Sequence, residues 1–312
     1  MSFDMKTLVL LAMAQTAFGT PAAPVAATNA ILCRGFTPQP IKAKYIDRAL
    51  INGMKGSQGK IAAGEHIVFE FEVEFACSGT AGTAPKWSPL HLGCNHAETV
   101  TAVTSTAYAL SGEDDGTYLT FLADLDGLQF KMTDARGSVS YALNSEDIPV
   151  MKYTFTGKYW PMTDTSFPTG ISFTGYTKPL TVGAINTPTF TLGGVSLTVK
   201  TFSLDIGNQV VWKDWIGRAK ATSNDRQAKA NAVFELTTVA AKNWAEAARL
   251  GDDLALNIVH GINAGNIATL AAPKLQINAD PSITDDSGTA LISLSFDVKP
   301  SAGNDEVVLT LT

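Results

Sequence analysis

Residues 67–75 read Ile-Val-Phe-Glu-Phe-Glu-Val-Glu-Phe, an alternation of apolar and acidic positions. Successive side chains of a strand point to opposite faces. Phe69, Phe71, Val73 and Phe75 therefore share one face, and Glu70, Glu72 and Glu74 share the other. The period of two, and the aromatic and β-branched residues that carry it, predict a half-buried strand rather than a helix. A weaker copy, Ala-Val-Phe-Glu-Leu-Thr, occupies 232–237 and carries Glu235 on its polar face.

Around these two runs the chain reads as a succession of short strands. They are expected near 30–33, 98–109, 117–123, 129–132, 137–143 and 149–159, and again near 171–176, 188–192, 195–206, 254–259, 274–278, 290–298 and 305–312. Gly112-Glu-Asp-Asp-Gly116 has the composition of a hairpin turn. Two helical pieces interrupt the pattern: a turn or two from Trp87 that stops at Gly93, and a helix over 240–250 that stops at Gly251. Residues 52–60 read as a long exposed loop, and 208–229 as a long insertion.

The two halves share an order: polar loop, alternating aromatic strand, Trp-led helical piece ending in Leu and Gly, then strands. Trp87 with Leu92-Gly93 corresponds to Trp244 with Leu250-Gly251, and the strand 151–157 to 290–297. This order predicts an internal duplication. The boundary falls at 160–170, around Pro161 and Pro168. The expected organisation is an N-terminal arm and linker at 1–30, a first repeat at 31–160 and a second at 161–312.

Composition agrees with an all-β reading. The 312 residues are 45% hydrophobic and only 17% charged, with abundant Thr, Ala and Gly. A net charge of −6 argues against a protein that grips nucleic acid by its phosphates, which takes clustered Lys and Arg. It leaves room for one that nucleic acid slides past. Cys33, Cys77 and Cys94 are an odd, irregular set and imply no disulfide framework. No apolar run approaches the roughly 20 residues of a membrane helix, so no membrane insertion is expected. Residues 5–19 resemble a secretory signal, but one lysine offset by Asp4 and a short apolar run count against it. An ordered N-terminal segment is the expectation.

Candidate chemistry is sparse. His91, Cys94 and His96 with Cys77 lack the regular ligand spacing of a zinc site. Asp124, Asp126 and Gly127, and Asp285 to Gly288, resemble fragments of calcium loops but supply too few spaced oxygens. No phosphate-cradling loop, nucleophile elbow or metalloprotease motif is present. Neither an enzyme nor a cofactor is expected. The 208–229 insertion, with Trp212, Trp215, Arg218 and Arg226, has the residues that anchor protein–protein contacts and reads as an inter-subunit loop.

Four stretches together resemble the tail tube (major tail) proteins of long, flexible-tailed bacteriophages. They are 14–31; 69–75 running through 81–87 and 90–94 to 98–101; 126–139 closing on 153–159; and 301–306. The resemblance implies two tandem β-sandwich or half-barrel repeats with short flanking helices, whose inner sheets join those of neighbours into a ring. It implies homotrimeric pseudo-sixfold rings, or hexamers, stacked into a hollow tube, with other tail proteins at the tube ends. The tape-measure protein and then DNA would occupy the lumen without tight binding. The location implied is the virion tail, assembled in the bacterial host cytoplasm. Glu70, Glu72, Glu74 and Glu235 are the residues expected to face the lumen. The alternative is a secreted β-sandwich adhesin or carbohydrate-binding module.

Overall fold

A computed structural model describes residues 3–51, 53, 55–112 and 116–312. The Gly112–Gly116 turn therefore lies partly outside the described residues, as do two positions of the 52–60 loop. The first half contains β1 (Leu8–Ala14), α1 (Ala26–Asn29), β2 (Ala30–Ile31), β3 (Lys42–Asp47), β4 (Lys60–Glu74), α2 (Ser88–Gly93), β5 (His96–Thr101), β6 (Ser105–Leu110), β7 (Leu119–Leu125), β8 (Leu128–Asn144) and β9 (Val150–Tyr159). After β10 (Thr163–Asp164) the second half contains β11 (Thr189–Leu192), β12 (Val195–Ser196), β13 (Val199–Asp205), β14 (Asn208–Trp215), β15 (Arg218–Arg226) and β16 (Lys229–Glu235). It closes with α3 (Trp244–Leu250), β17 (Leu254–His260), β18 (Ala268–Ile277), β19 (Ser282–Asp286), β20 (Thr289–Lys299) and β21 (Val308–Leu311).

The acidic-aromatic run is the C-terminal part of β4. Its antiparallel partner is β9, with Phe69 opposite Phe155, Phe71 opposite Tyr153 and Val73 opposite Met151. These six side chains are buried. The Phe71 ring stacks on Tyr153 at 5.6 Å and on Phe155 at 6.1 Å, while Phe36 meets Phe69 edge-on at 5.2 Å. Burying each such ring contributes about 1.5–3 kcal/mol, which fixes the register: a one-residue slip would put the phenylalanines in water and the glutamates in the core.

From β4 one antiparallel run continues β4-β9-β8-β13-β16-β20-β19. A second run, β5-β6-β21-β18-β17-β11-β12, supplies the opposing layer. Tyr108, Leu256, Leu270 and Leu309 bring it into the same hydrophobic core as the β4 phenylalanines. The fold is an all-β sandwich with three short helices among the described residues, and its sheets do not close into a barrel.

The halves are fused rather than strung together. β8 pairs with β13 in one layer and β6 with β21 in the other, and one core spans both halves. The 1–30 segment is also more than an arm. β1 lies between β2 and β7, with Val9, Leu10, Leu11 and Ala12 buried. The apolar run that resembles a signal is thus a sandwich strand.

Both Trp-led helices are present. Trp87 immediately precedes α2 and donates its indole N–H to the Ala76 carbonyl at 2.8 Å. Trp244 opens α3 and donates to Thr237 Oγ1, also at 2.8 Å. Each buried indole meets a phenylalanine at the end of the preceding strand: Phe75 at 6.4 Å and Phe234 at 5.1 Å. α3 is shorter than expected because Asn243 caps it, accepting from the Glu246 N–H at 3.1 Å. It stops at Gly251, whose φ of 70° suits glycine.

Candidate functional site

The outward face of the β4–β19 run is mostly polar, with a few apolar positions such as Val150, Ala142 and Leu291. Residues directly opposite on paired strands point to the same face, so register reads out the rows across it. One row runs Arg34, Glu72, Lys152, Ser140, Asp205, Lys229, Asp297. A second runs Glu74, Val150, Ala142, Ser203, Asn231, Ser295. Glu70 lies opposite Thr154, and Glu235 opposite Leu291 on the same outward side of β16 as Asn231. The four glutamates therefore share one face of one sheet, although Glu72 and Glu235 are separated by β9, β8 and β13. Glu70 and Glu235 are exposed, whereas Glu72 and Glu74 are half-buried.

This face is not a bare wall of carboxylates. Glu72 is paired with Arg34 at 3.1 Å, and the first row alternates in sign through Lys152, Asp205, Lys229 and Asp297. Near Glu235, Lys200 Nζ meets Asp286 Oδ2 at 2.7 Å. Ser295 Oγ donates to Asn231 Oδ1 at 2.7 Å. The alternating cations were not foreseen, because Lys152 and Lys229 come beside Glu72 and Asp205 only once the register is known.

The 208–229 insertion is a β-hairpin rather than a loop: β14 and β15 pair with each other and lie against β4, β8 and β9. Its base is tied down. The Asn208 backbone N–H donates to Ser138 Oγ at 3.1 Å, and its amide donates to the Cys94 and Gly137 carbonyls at 2.8 and 3.2 Å. Trp212 stacks on His66 at 5.9 Å. Arg226 holds Glu306 with two hydrogen bonds of 2.9 Å and also donates to the Ser111 carbonyl and Asn304 Oδ1. Trp212 and Arg226 are thus committed within the chain. Trp215 and Arg218 sit at the tip, with the guanidinium 5.9 Å from the indole. There Trp215 is 59% exposed and Ile216 fully so. A second hairpin, β3 with the start of β4, exposes Tyr45, Ile46 and Ile61.

The residues weighed as metal ligands have other work. His91 is fully buried with both ring nitrogens occupied, Nε2 by Tyr141 at 2.7 Å and Nδ1 by Tyr153 at 2.8 Å. The network closes when Tyr141 donates to Nε2 and Nδ1–H donates to Tyr153, whose hydroxyl donates on to Met151 Sδ. Burial pushes the Cys94 thiol well up and the His91 imidazole well down. Asp124 accepts from the Gly127 N–H at 2.9 Å and from Thr165 at 3.0 Å, and Asp285 from the Gly288 N–H at 3.1 Å. The glycine contacts are turn contacts, and Thr165 ties Asp124 to the chain just past β10.

The model of the phage tail tube protein family matches residues 6–299. The chain belongs to the phage tail tube protein family. It is a structural component of the virion tail, and such proteins self-assemble into a tube with other tail proteins. Comparison with curated proteins finds no match. Nothing in the fold or the family match supports the adhesin or carbohydrate-binding alternative for this tail tube protein. No helix among the described residues is long and apolar enough to cross a membrane.

Proposed function

We propose that the polar face of the β4–β19 run lines the lumen of the tube and that genomic DNA passes along it during ejection. The observation that carries this reading is the placement of Glu70, Glu72, Glu74 and Glu235 on one face of a single sheet. On the uncovered part of that face Glu70, Glu74 and Glu235 add to a row that is itself balanced in sign. A phosphate backbone meets net repulsion at a range of about 8 Å at physiological salt. The interspersed Lys152 and Lys229 are too separated to form the basic track that DNA binding takes. The tape-measure protein would occupy the same lumen before DNA does.

The ring follows from the repeated order. Hairpin, aromatic strand, Trp-led helix and closing strand occur twice, as β3–β4, α2 and β9 and as β14–β16, α3 and β20. This supports two tandem tube repeats per chain, so three chains complete a pseudo-sixfold ring; hexamers serve chains with one repeat. Rings then stack, with Trp215 and Arg218 at the β14–β15 tip reaching a neighbouring subunit. Assembly takes place in the host cytoplasm, where the free thiols of Cys33, Cys77 and Cys94 persist.

The test is placement. A Glu235→Cys chain labelled with a gold cluster and imaged by electron microscopy of its tubes carries the label on the axis. Label on the outer wall overturns the reading.

A further inference from the structure

The seam between β8 and β13, inside the chain, is a template for the seam between chains. This inference rests on the ring-forming reading above and deepens it by naming the edges and the register.

The two halves correspond through their Trp anchors. Phe75 and Phe234 are the rings that meet Trp87 and Trp244. Matching them equates β4 with β16 and β9 with β20. It equates β8 with β19, because each is the hairpin partner of its closing strand. It equates β13 with the segment around Arg34, because each flanks the aromatic strand on its other side. Within the chain, β8 meets β13 with Leu143 opposite Phe202 and Ala142 opposite Ser203. The equivalent positions at the two outer edges are Ile283 opposite Cys33 and Ser282 opposite Arg34.

Three observations say that these edges await a partner. First, among the described residues β19 pairs with β20 alone. Second, Ile283 is 64% exposed although it lies opposite buried Ile292, whereas its counterpart Leu143 is 6% exposed beneath the internal seam. Third, the hydrogen-bond phase agrees. Arg34 exchanges both backbone bonds with Glu72, so Cys33 and Gly35 direct theirs away from β4, where they find no backbone partner among the described residues. On β20, Ala290 bonds to Leu236 beside β16, which turns Leu291 toward Thr284 and leaves the Ile283 groups pointing outward. At the internal seam the bond from the Ser145 N–H to the Lys200 carbonyl puts Leu143 and Phe202 in the same hydrogen-bonded phase. Cys33 and Ile283 are therefore ready to exchange both bonds.

We propose that β19 of one chain pairs antiparallel with the Cys33–Gly35 edge of a second copy, with Ile283 opposite Cys33 and Ser282 opposite Arg34, closing the ring. Closure would bury the Ile283 side chain and leave neither edge open to uncontrolled pairing.

In this register Ser282 and Arg34 form a non-hydrogen-bonded pair, whose side chains are closest, and both lie on the polar face. The test uses Arg34→Cys with Ser282→Cys in one chain, purified as rings and oxidised with copper-phenanthroline. The two positions lie at opposite edges of the sheet within one chain, so a disulfide between them joins neighbours. The expected result is a ladder of covalent oligomers on non-reducing gels, ending at the ring's subunit number, with neither single variant giving it. Rings in the microscope without a ladder, or a stronger ladder from Arg34→Cys with Thr284→Cys, overturn the register. The absence of rings for the unmodified chain overturns the tube reading itself, and this seam with it.

Discussion

Arg34 and Glu72 are joined twice. Their backbones exchange hydrogen bonds of 2.8 and 2.9 Å, and the Arg34 guanidinium meets the Glu72 carboxylate at 3.1 Å. The two links differ in weight. The side chains are 42% and 36% exposed, so their ion pair contributes less than about 1 kcal/mol. Arg34→Ala is expected to lower the melting temperature by no more than about 2 °C. Arg34→Pro also removes the N–H that bonds to Glu72 and is expected to cost several times more. A larger loss from alanine than from proline, measured by thermal denaturation, would contradict this division.

The Arg226–Glu306 pair is the opposite case. Its side chains are 14% and 9% exposed, and the guanidinium fork is filled by Glu306, the Ser111 carbonyl and Asn304. Removing either partner strands a charge at a nearly dry site, which costs about 3–5 kcal/mol. Arg226→Lys is expected to recover little, since one ammonium cannot fill the fork. Urea denaturation of the unassembled chain reads both. If Arg226→Ala unfolds at the unmodified midpoint yet fails to assemble, the residue belongs to an interface between subunits after all.

Acid sensitivity follows from the buried imidazoles. Burial holds His91 well below its usual value, with His96 adding to the shift. Burial also lowers His96 to about 4, with a smaller contribution from Arg226, and against the raising effect of its backbone hydrogen bonds. Their unfolded value is about 6.5. A base whose folded pKa is depressed is neutral in the fold and takes up a proton on unfolding. The stabilisation is complete above about pH 6.5 and is lost as pH falls toward 4, by about 1.4 kcal/mol per pH unit per histidine. Unfolding free energies between pH 7 and 5 are expected to fall with this slope, before carboxylates titrate. Burial lowers the His260 imidazole as well, so His96→Asn is expected to remove only the share that His96 contributes. A flat profile would mean that water or a counter-charge reaches the rings.

What was legible in the sequence was what period and punctuation encode. The alternation at 67–75 announced β4 and its faces, and Trp87 and Trp244 announced the repeated helices. Long-range pairing was not legible. No local pattern says that β13 docks on β8, or that Arg226 finds a carboxylate as distant as Glu306. β1 resembles a signal because a strand buried on both faces reads as an unbroken apolar run, yet its single offset lysine and short length pointed to the ordered segment that is found. β14 and β15 lacked clean alternation because the hairpin stands partly clear of the core and has no single buried side. The candidate lumen face was legible in its glutamates but not in its lysines, which register alone brings alongside.

Trp215 and Ile216 crown the β14–β15 hairpin with apolar surface that the chain leaves in water. Lys213 and Arg218 flank the indole, with Lys213 Nζ 5.3 Å from its centre. An aromatic anchor rimmed by cations suits a partly acidic neighbour, and the net charge of −6 means that another copy supplies one. Trp215→Ser with Ile216→Ser removes no buried contact, so the melting temperature of the unassembled chain is expected to stay within about 1 °C of the unmodified protein. The hairpin pairs with neither the β19 edge nor the Arg34 segment, so ring closure is expected to persist. Stacking is expected to fail, leaving single rings where the unmodified chain gives tubes, as read by electron microscopy and sedimentation. Full-length tubes from the double variant would instead point to ring-to-ring contact through another exposed apolar surface, such as Tyr45, Ile46 and Ile61 of the β3–β4 hairpin.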